Sequence, residues 1–299
     1  MTGWRSGIDG RPGAASSGAG TGRRRPAAAT MAGVLLVTGA TGYLGSVLVG
    51  RAVRGGHDVR ALVRDPRKAQ ALLPAGVDVV VGDLGDPASL LRAAGGCDGV
   101  FHVAGTVGGS AEETRRANVD GTAAVLAAAR AAGVARFVCT SSSAAVIDAD
   151  GLVSERPAGP PALRDAYSLA KAEAEELVLA AAADGMGAVV VNPVSIYGPS
   201  PAGPLSYNGL LLAAARGAVP AVVDARVGWV LAEDAAAGHL LALERGEPGR
   251  RYVLCGEVAS FGIDEGLART AAWLRYWTPQ GSTGPDAPVP ATRRGSPAP

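Results

Sequence analysis

Short apolar runs alternate with stretches of helical spacing along most of the chain. Val34-Leu-Leu-Val37 is a continuous apolar run, the pattern of a strand buried on both faces. Leu44, Val47, Leu48 and Ala52 then recur on one face, which predicts a helix over 45–54, stopped by Gly55-Gly56. Further strands are predicted at 59–63, 77–81, 99–103, 137–139 and 188–191, with long helices over 118–132 and 165–183. Strands that alternate with helices need crossover connections between parallel neighbours. The expected fold class is therefore α/β, a doubly wound parallel sheet of the Rossmann type. After Asn192 the pattern loosens and Pro and Gly become frequent, as in a smaller region packed over the ends of the sheet.

Composition bounds the remainder. The chain has 299 residues and a formal net charge of +1, so it carries no electrostatic footprint for nucleic acid or an anionic membrane. No apolar run approaches the roughly 20 residues of a membrane span. Three cysteines, widely spaced, match neither a disulfide framework nor a metal knuckle, and a cytoplasmic location is expected. Residues 1–30 are Gly, Ala, Ser, Arg and Pro without apolar period and read as a disordered leader, or as sequence ahead of a start at Met31. An export signal is excluded because the apolar run after Arg23-Arg24-Arg25 is short and is needed as a strand. Residues 279–299 read as a disordered tail.

Thr38-Gly-Ala-Thr-Gly-Tyr-Leu-Gly45 follows the first strand and opens the first helix. Gly39 permits the turn, Gly42 lets backbone approach a pyrophosphate, and Gly45 lets helix and strand pack closely. The helix N-terminus then offers free N–H groups to phosphate. This assigns 31–192 as a domain that binds NAD(P) and 193–278 as a substrate-binding region. At the end of the second strand Val63 stands roughly where an acid would hold a ribose hydroxyl, and Arg64 follows. A guanidinium matches a 2′-phosphate, so NADP(H) is preferred; NAD(H) remains open, with Asp65 on the ribose. Asp83, in Gly82-Asp83-Leu84, is placed to accept from the adenine amine.

Lysine is scarce: of 28 basic residues only Lys68 and Lys171 are lysines. Lys171 lies one helical turn after Tyr167, so phenol and ammonium converge on one point. An ammonium and an oxidised nicotinamide would lower the phenol pKa from its free value near ~10 towards a working range. Thr140-Ser141-Ser142-Ser143, at the end of the fifth strand, can supply a hydroxyl to a substrate carbonyl.

The chain resembles the extended short-chain dehydrogenase/reductase family, the NAD-dependent epimerase/dehydratase group. Within it, the chain looks like the dihydroflavonol-reductase-like and hopanoid-associated sugar-epimerase-like proteins. The resemblance rests on Thr38 to Gly45, Gly82-Asp83-Leu84, His102-Val-Ala-Gly105, Asn118-Val-Asp-Gly-Thr122, Thr140-Ser-Ser142, Tyr167-x-x-x-Lys171 and Asn192-Pro-Val-Ser-Ile-Tyr-Gly-Pro199. It implies that Ser142 polarises the carbonyl, that Tyr167 transfers the proton and that Lys171 supports both. It implies a cofactor contact set of Gly39, Thr41, Gly42, Tyr43, Leu44, Gly45, Arg64, Asp83, Leu84, Ala104, Gly105, Tyr167, Lys171, Pro193 and Val194. Arg64 meets a 2′-phosphate in the reductase branch. Looser similarity continues through Glu233 to Leu254 and Asp264 to Arg275. The family carries more chain between Gly256 and Asp264, so the substrate region is read as shortened by a deletion. A homodimer through the helices at 118–132 and after Asp165 is also implied.

Three functions stay open at this point. The first is reduction of a ketone or aldehyde on a small molecule. The second is epimerisation or dehydration of a nucleotide sugar with tightly bound NAD. The third is cofactor binding without turnover. No metal is expected, since His57, His102 and His239 are dispersed without ligand spacing. Trp229, Trp273 and Trp277 read as core or lid packing.

Overall fold

The computed structural model describes residues 33–157, 159–216, 218, 227–256 and 270. The leader, the tail, Trp273, Trp277 and residues 257–264 lie outside the described residues. In chain order the elements begin β1 (Val34–Thr38), α1 (Tyr43–Arg54), β2 (Asp58–Val63), α2 (Pro66–Leu72), β3 (Asp78–Val81), α3 (Pro87–Ala94) and β4 (Cys97–His102). Next come α4 (Ala111–Arg115), a π-turn (Arg116–Asp120), α5 (Gly121–Ala131), β5 (Arg136–Thr140), α6 (Ala166–Ala183) and β6 (Gly187–Pro193). The last are β7 (Ser195–Tyr197), α7 (Tyr207–Ala215), β8 (Trp229–Leu231), α8 (Ala232–Arg245) and β9 (Arg251–Leu254).

The main sheet is seven-stranded, in the order β3-β2-β1-β4-β5-β6-β9, and its pairs are all parallel. The apolar runs are continuous because each strand feeds two cores. In β1, Leu35 and Val37 join the core beneath α1 and α8, whereas Leu36 joins the core beneath α3, α5 and α6. β6 alternates likewise, with Val189 and Val191 on one face and Ala188 and Val190 on the other.

Helix starts follow local chemistry. Asp65, Asp86 and Asp165 each accept a first-turn N–H of α2, α3 and α6, and Ser110 with Glu113 forms a capping box on α4. The predicted helix over 118–132 begins later, at Gly121, after the π-turn that carries Asn118.

The stretch after Asn192 is not wholly a separate region. β7 and β8 form a small parallel sheet, but α8 packs beside α1 and β9 becomes the seventh strand of the main sheet. The break predicted at 192 therefore crosses the sheet: apolar α8 residues such as Ala236 and Leu243 complete a face that the earlier helices leave uncovered. No helix among the described residues is long and apolar enough to cross a membrane.

Candidate active site

β1 pairs with β2 on one side and β4 on the other, so the chain leaves the sheet in opposite directions at this boundary. A crevice forms there at the C-terminal ends of the strands, the place where doubly wound sheets bind ligands. It is a cleft of about 1880 Å³. Its walls contain each of the candidate residues: Gly39, Thr41, Gly42, Tyr43, Leu44, Gly45, Arg64, Asp83, Leu84, Ala104, Gly105, Ser142, Tyr167, Lys171, Pro193 and Val194.

At the glycine loop, Gly39 has φ +71°, and a Cβ there would lie 2.6 Å from the Ala104 backbone nitrogen. A Cβ on Gly45 would lie 2.1 Å from the Gly39 carbonyl oxygen. Helix α1 starts from Gly42 without a side-chain cap, unlike α2, α3, α4 and α6, so its first-turn N–H groups face the cleft. These features fit a dinucleotide pyrophosphate. Tyr43 also turns its ring to another task. Its phenol donates to the Gly198 carbonyl at 2.8 Å and accepts from Asn208 Nδ2 at 2.8 Å, and burial pushes its pKa up. It ties the loop to the segment after β7.

At the far end Arg64 is exposed and makes no hydrogen bond or ion pair among the described residues. Asp65 spends Oδ1 on the N–H groups of Arg67 and Lys68, as the cap of α2. Asp83 Oδ1 accepts from Gly85 N at 2.9 Å, closing the turn after β3. Lys68 also lines this end, although the sequence reading did not assign it. The signal was available, since the scarcity that singled out Lys171 applies equally to Lys68. Both lysines of the chain line the one cleft.

A buried relay fixes the middle of the cleft. Thr122 donates its only hydroxyl proton to the Asn118 carbonyl, so its oxygen accepts from His102 Nε2 at 3.0 Å. His102 Nδ1 is thereby left to accept from Thr38 Oγ1 at 2.8 Å. Burial pushes the His102 pKa down to about 3, which keeps this tautomer neutral. Asn118, also not assigned from sequence, leaves Oδ1 buried without a hydrogen bond among the described residues. That oxygen and Lys171 Nζ flank Gly105, where a Cβ would come within 2.6 and 3.1 Å of them.

Helix α6 delivers Tyr167 and Lys171, and the turn after β5 delivers Ser142. Ser142 Oγ accepts from Ala144 N at 3.2 Å, and its side chain is close enough to Tyr167 to favour the phenolate against burial. Lys171 is buried, donates to the Thr140 carbonyl at 3.0 Å and stands 5.9 Å from the centre of the Tyr167 ring. Burial raises the Tyr167 pKa, partly offset by the Ser142 side chain, and burial lowers that of Lys171. The sequence reading lowers the phenol pKa through the ammonium together with an oxidised nicotinamide; of this chain's own groups, burial has the largest effect. A phenol held protonated can donate to a carbonyl oxygen.

Val107, Ile147, Leu163, Ile196, Tyr207 and Leu210 give the cleft an apolar part of its wall. Among the described residues that segments 140–163 and 193–210 contribute to it, none is charged. Trp229 packs edge-on against Tyr197 and Tyr207, as expected of a packing residue. His102 and His239 are enclosed by threonine and backbone partners.

Comparison with known proteins agrees with this geometry. The family model described as the NAD dependent epimerase/dehydratase family matches residues 35–255. A Synechocystis sp. protein provisionally named a dihydroflavonol 4-reductase is 38% identical over 234 residues, covering 75% of this chain and 68% of that protein. Sterol demethylase protein B of Methylococcus capsulatus is 36% identical over 232 residues, 76% of this chain and 71% of its own length. Among solved structures, a nucleoside-diphosphate-sugar epimerase from Pseudomonas aeruginosa superposes with a TM-score of 0.65 at 28% identity, covering 75% of this chain and 72% of that one.

Proposed function

The chain belongs to the NAD dependent epimerase/dehydratase family, and we propose that within it this protein is an NADP(H)-dependent reductase of apolar ketones or aldehydes. One observation carries the reading: Ser142, Tyr167 and Lys171 line the same cleft as the glycine loop, with Lys171 Nζ 5.9 Å from the centre of the Tyr167 ring. When bound, the reduced nicotinamide supplies the hydride. Ser142 Oγ and the Tyr167 phenol hold the substrate carbonyl oxygen. Tyr167 gives its proton to that oxygen as negative charge develops there. Lys171 keeps two N–H donors beyond the one used on Thr140, enough to hold ribose hydroxyls and steady the phenol. The N–H groups of α1 hold pyrophosphate, and Pro193 and Val194 shape the nicotinamide end.

The preference for NADP(H) rests on Arg64, with Lys68 beside it at the adenosine end. The preference for an apolar carbonyl over a nucleotide sugar rests on the described cleft residues of segments 140–163 and 193–210, none of which is charged. A sugar pyrophosphate would call for cations there, whereas apolar surface is stabilised by burying apolar substrate. A thermal-shift series with NADPH, NADH and UDP-sugars, followed by NADPH consumption with apolar carbonyls, tests this. NADPH is expected to give the largest shift and to be consumed. Tightly bound NAD in the isolated protein, with turnover of a UDP-sugar and no consumption of added cofactor, would replace this reading with the epimerase one.

A further inference from the structure

Behind the site, and untouched by the chemistry above, lies a buried polar chain that starts in the last strand of the sheet. Arg251 on β9 donates from Nε to Glu175 Oε2 at 2.6 Å, and from NH2 to Glu176 Oε1 at 3.0 Å. Glu175 is on α6, one turn after Lys171, and is 1% exposed. Its other oxygen accepts from Asn192 Nδ2 at 2.5 Å. Asn192, fully buried in β6, uses the second hydrogen of the same nitrogen on the Ser142 carbonyl, at 3.0 Å.

Both neighbours of that nitrogen are acceptors, so only one orientation of the Asn192 amide satisfies them. The cost is visible: Asn192 Oδ1 is left buried without a hydrogen bond among the described residues. A buried ion pair adds little stability over apolar packing of the same shape. What this chain of contacts does supply is direction. The Ser142 carbonyl is held by Asn192 and by Ala145 N at 3.1 Å, while its hydroxyl is held by Ala144 N at 3.2 Å. The Ser142 peptide is thus gripped on both sides.

We propose that Asn192, held by Glu175 and Arg251, is the positioning residue of this active site, fixing the Ser142 peptide so that its hydroxyl meets the Tyr167 phenol. The inference rests on the roles given to Ser142 and Tyr167 above. It adds that β9 and α6 act on the reacting end of the cleft through one side-chain amide.

The test follows the Tyr167 phenol directly, by ultraviolet titration of the tyrosinate with Tyr167→Phe as the subtraction control. The groups facing that phenol are Ser142, Lys171, Asp165 and Tyr207. Loss of the Ser142 side chain removes the influence that offsets burial, so Ser142→Ala moves the titration to higher pH. Asn192→Ala is expected to move it the same way and to lower kcat about tenfold, with NADPH affinity within about twofold of wild type. In a Ser142→Ala background, Asn192→Ala adds no further shift, because it works through Ser142. Should Asn192→Ala fail to fold, the Glu175→Leu/Arg251→Leu double variant frees Asn192 without leaving a buried charge, and an upward shift is again expected. If Ser142→Ala moves the phenol and neither of these does, the inference is overturned while the reductase reading stands. If Ser142→Ala itself moves nothing, the role of Ser142 falls and the inference with it.

Discussion

Lowering the pH from about 7.5 to about 5 is expected to cost the fold about 4 kcal/mol through two buried histidines. His102 and His239 are 1% and 0% exposed, and burial pushes their pKa values down to about 3 and about 4. Each has both ring nitrogens engaged: His102 with Thr38 and Thr122, His239 with Thr140 and the Ala235 carbonyl. In the unfolded chain an imidazole titrates near ~6.5. Below that pH the unfolded state binds more protons, so stability is full above it and drains away as the pH falls towards the folded values. At about pH 5 each unfolded imidazole has gained about 2 kcal/mol, from ~1.5 pH units at ~1.36 kcal/mol per unit. The folded imidazoles have gained almost nothing, so the figure depends little on how far below 5 their values lie. Glu113, held down by Ser110, and Asp165, held down by Ser168, act with the same sign but mostly at lower pH. Urea denaturation across this range measures the loss as the product of midpoint and slope. His102→Gln keeps a donor and an acceptor without titrating and should halve the loss to about 2 kcal/mol. A wild-type loss below about 1 kcal/mol, or a His102→Gln variant that retains the full loss, would refute this linkage.

The glycine loop and the adenosine end give two further expectations. Gly45→Ala drives a Cβ to 2.1 Å from the Gly39 carbonyl, so it should lower both Tm and NADPH affinity. Gly42→Ala meets only the Gly39 oxygen at 3.1 Å, so it should weaken NADPH binding with a much smaller change in Tm; calorimetric titration and melting separate the two. Arg64→Ala should weaken NADPH binding by about 10- to 100-fold and leave NADH binding unchanged, in keeping with a charge-assisted contact of about 1.5–3 kcal/mol. Lys68→Ala should act in the same direction, and equal losses for both cofactors in either variant would remove the 2′-phosphate role.

The architecture was legible because strands buried on two faces announce themselves as unbroken apolar runs, as Val34 to Val37 and Ala188 to Val191 do. α8 and β9 were harder to place. Ala232 to Arg245 carries five alanines and two acidic residues in its first turn, and its membership of the sheet's flank depends on where β9 returns. Residues such as Tyr167 and Lys171 stood out by type and spacing. Asn192 did not, since its effect depends on two acceptors, Ser142 O and Glu175, that only folding brings to its amide. The burial of the Tyr167 phenol was equally hidden, because it is a property of the packed helix rather than of the pair.

Turnover with and without the Tyr167 hydroxyl bears most directly on the reductase chemistry. Steady-state NADPH oxidation with an apolar ketone would be followed against pH for wild type and for Tyr167→Phe. The raised Tyr167 pKa keeps the phenol protonated through neutral pH, so the wild-type rate should stay level there and fall only as the pH climbs through that value. Tyr167→Phe should fold, bind NADPH and lose at least about 10²-fold in kcat. A Tyr167→Phe variant that turns over at the wild-type rate would contradict the assignment of Tyr167 as the proton donor.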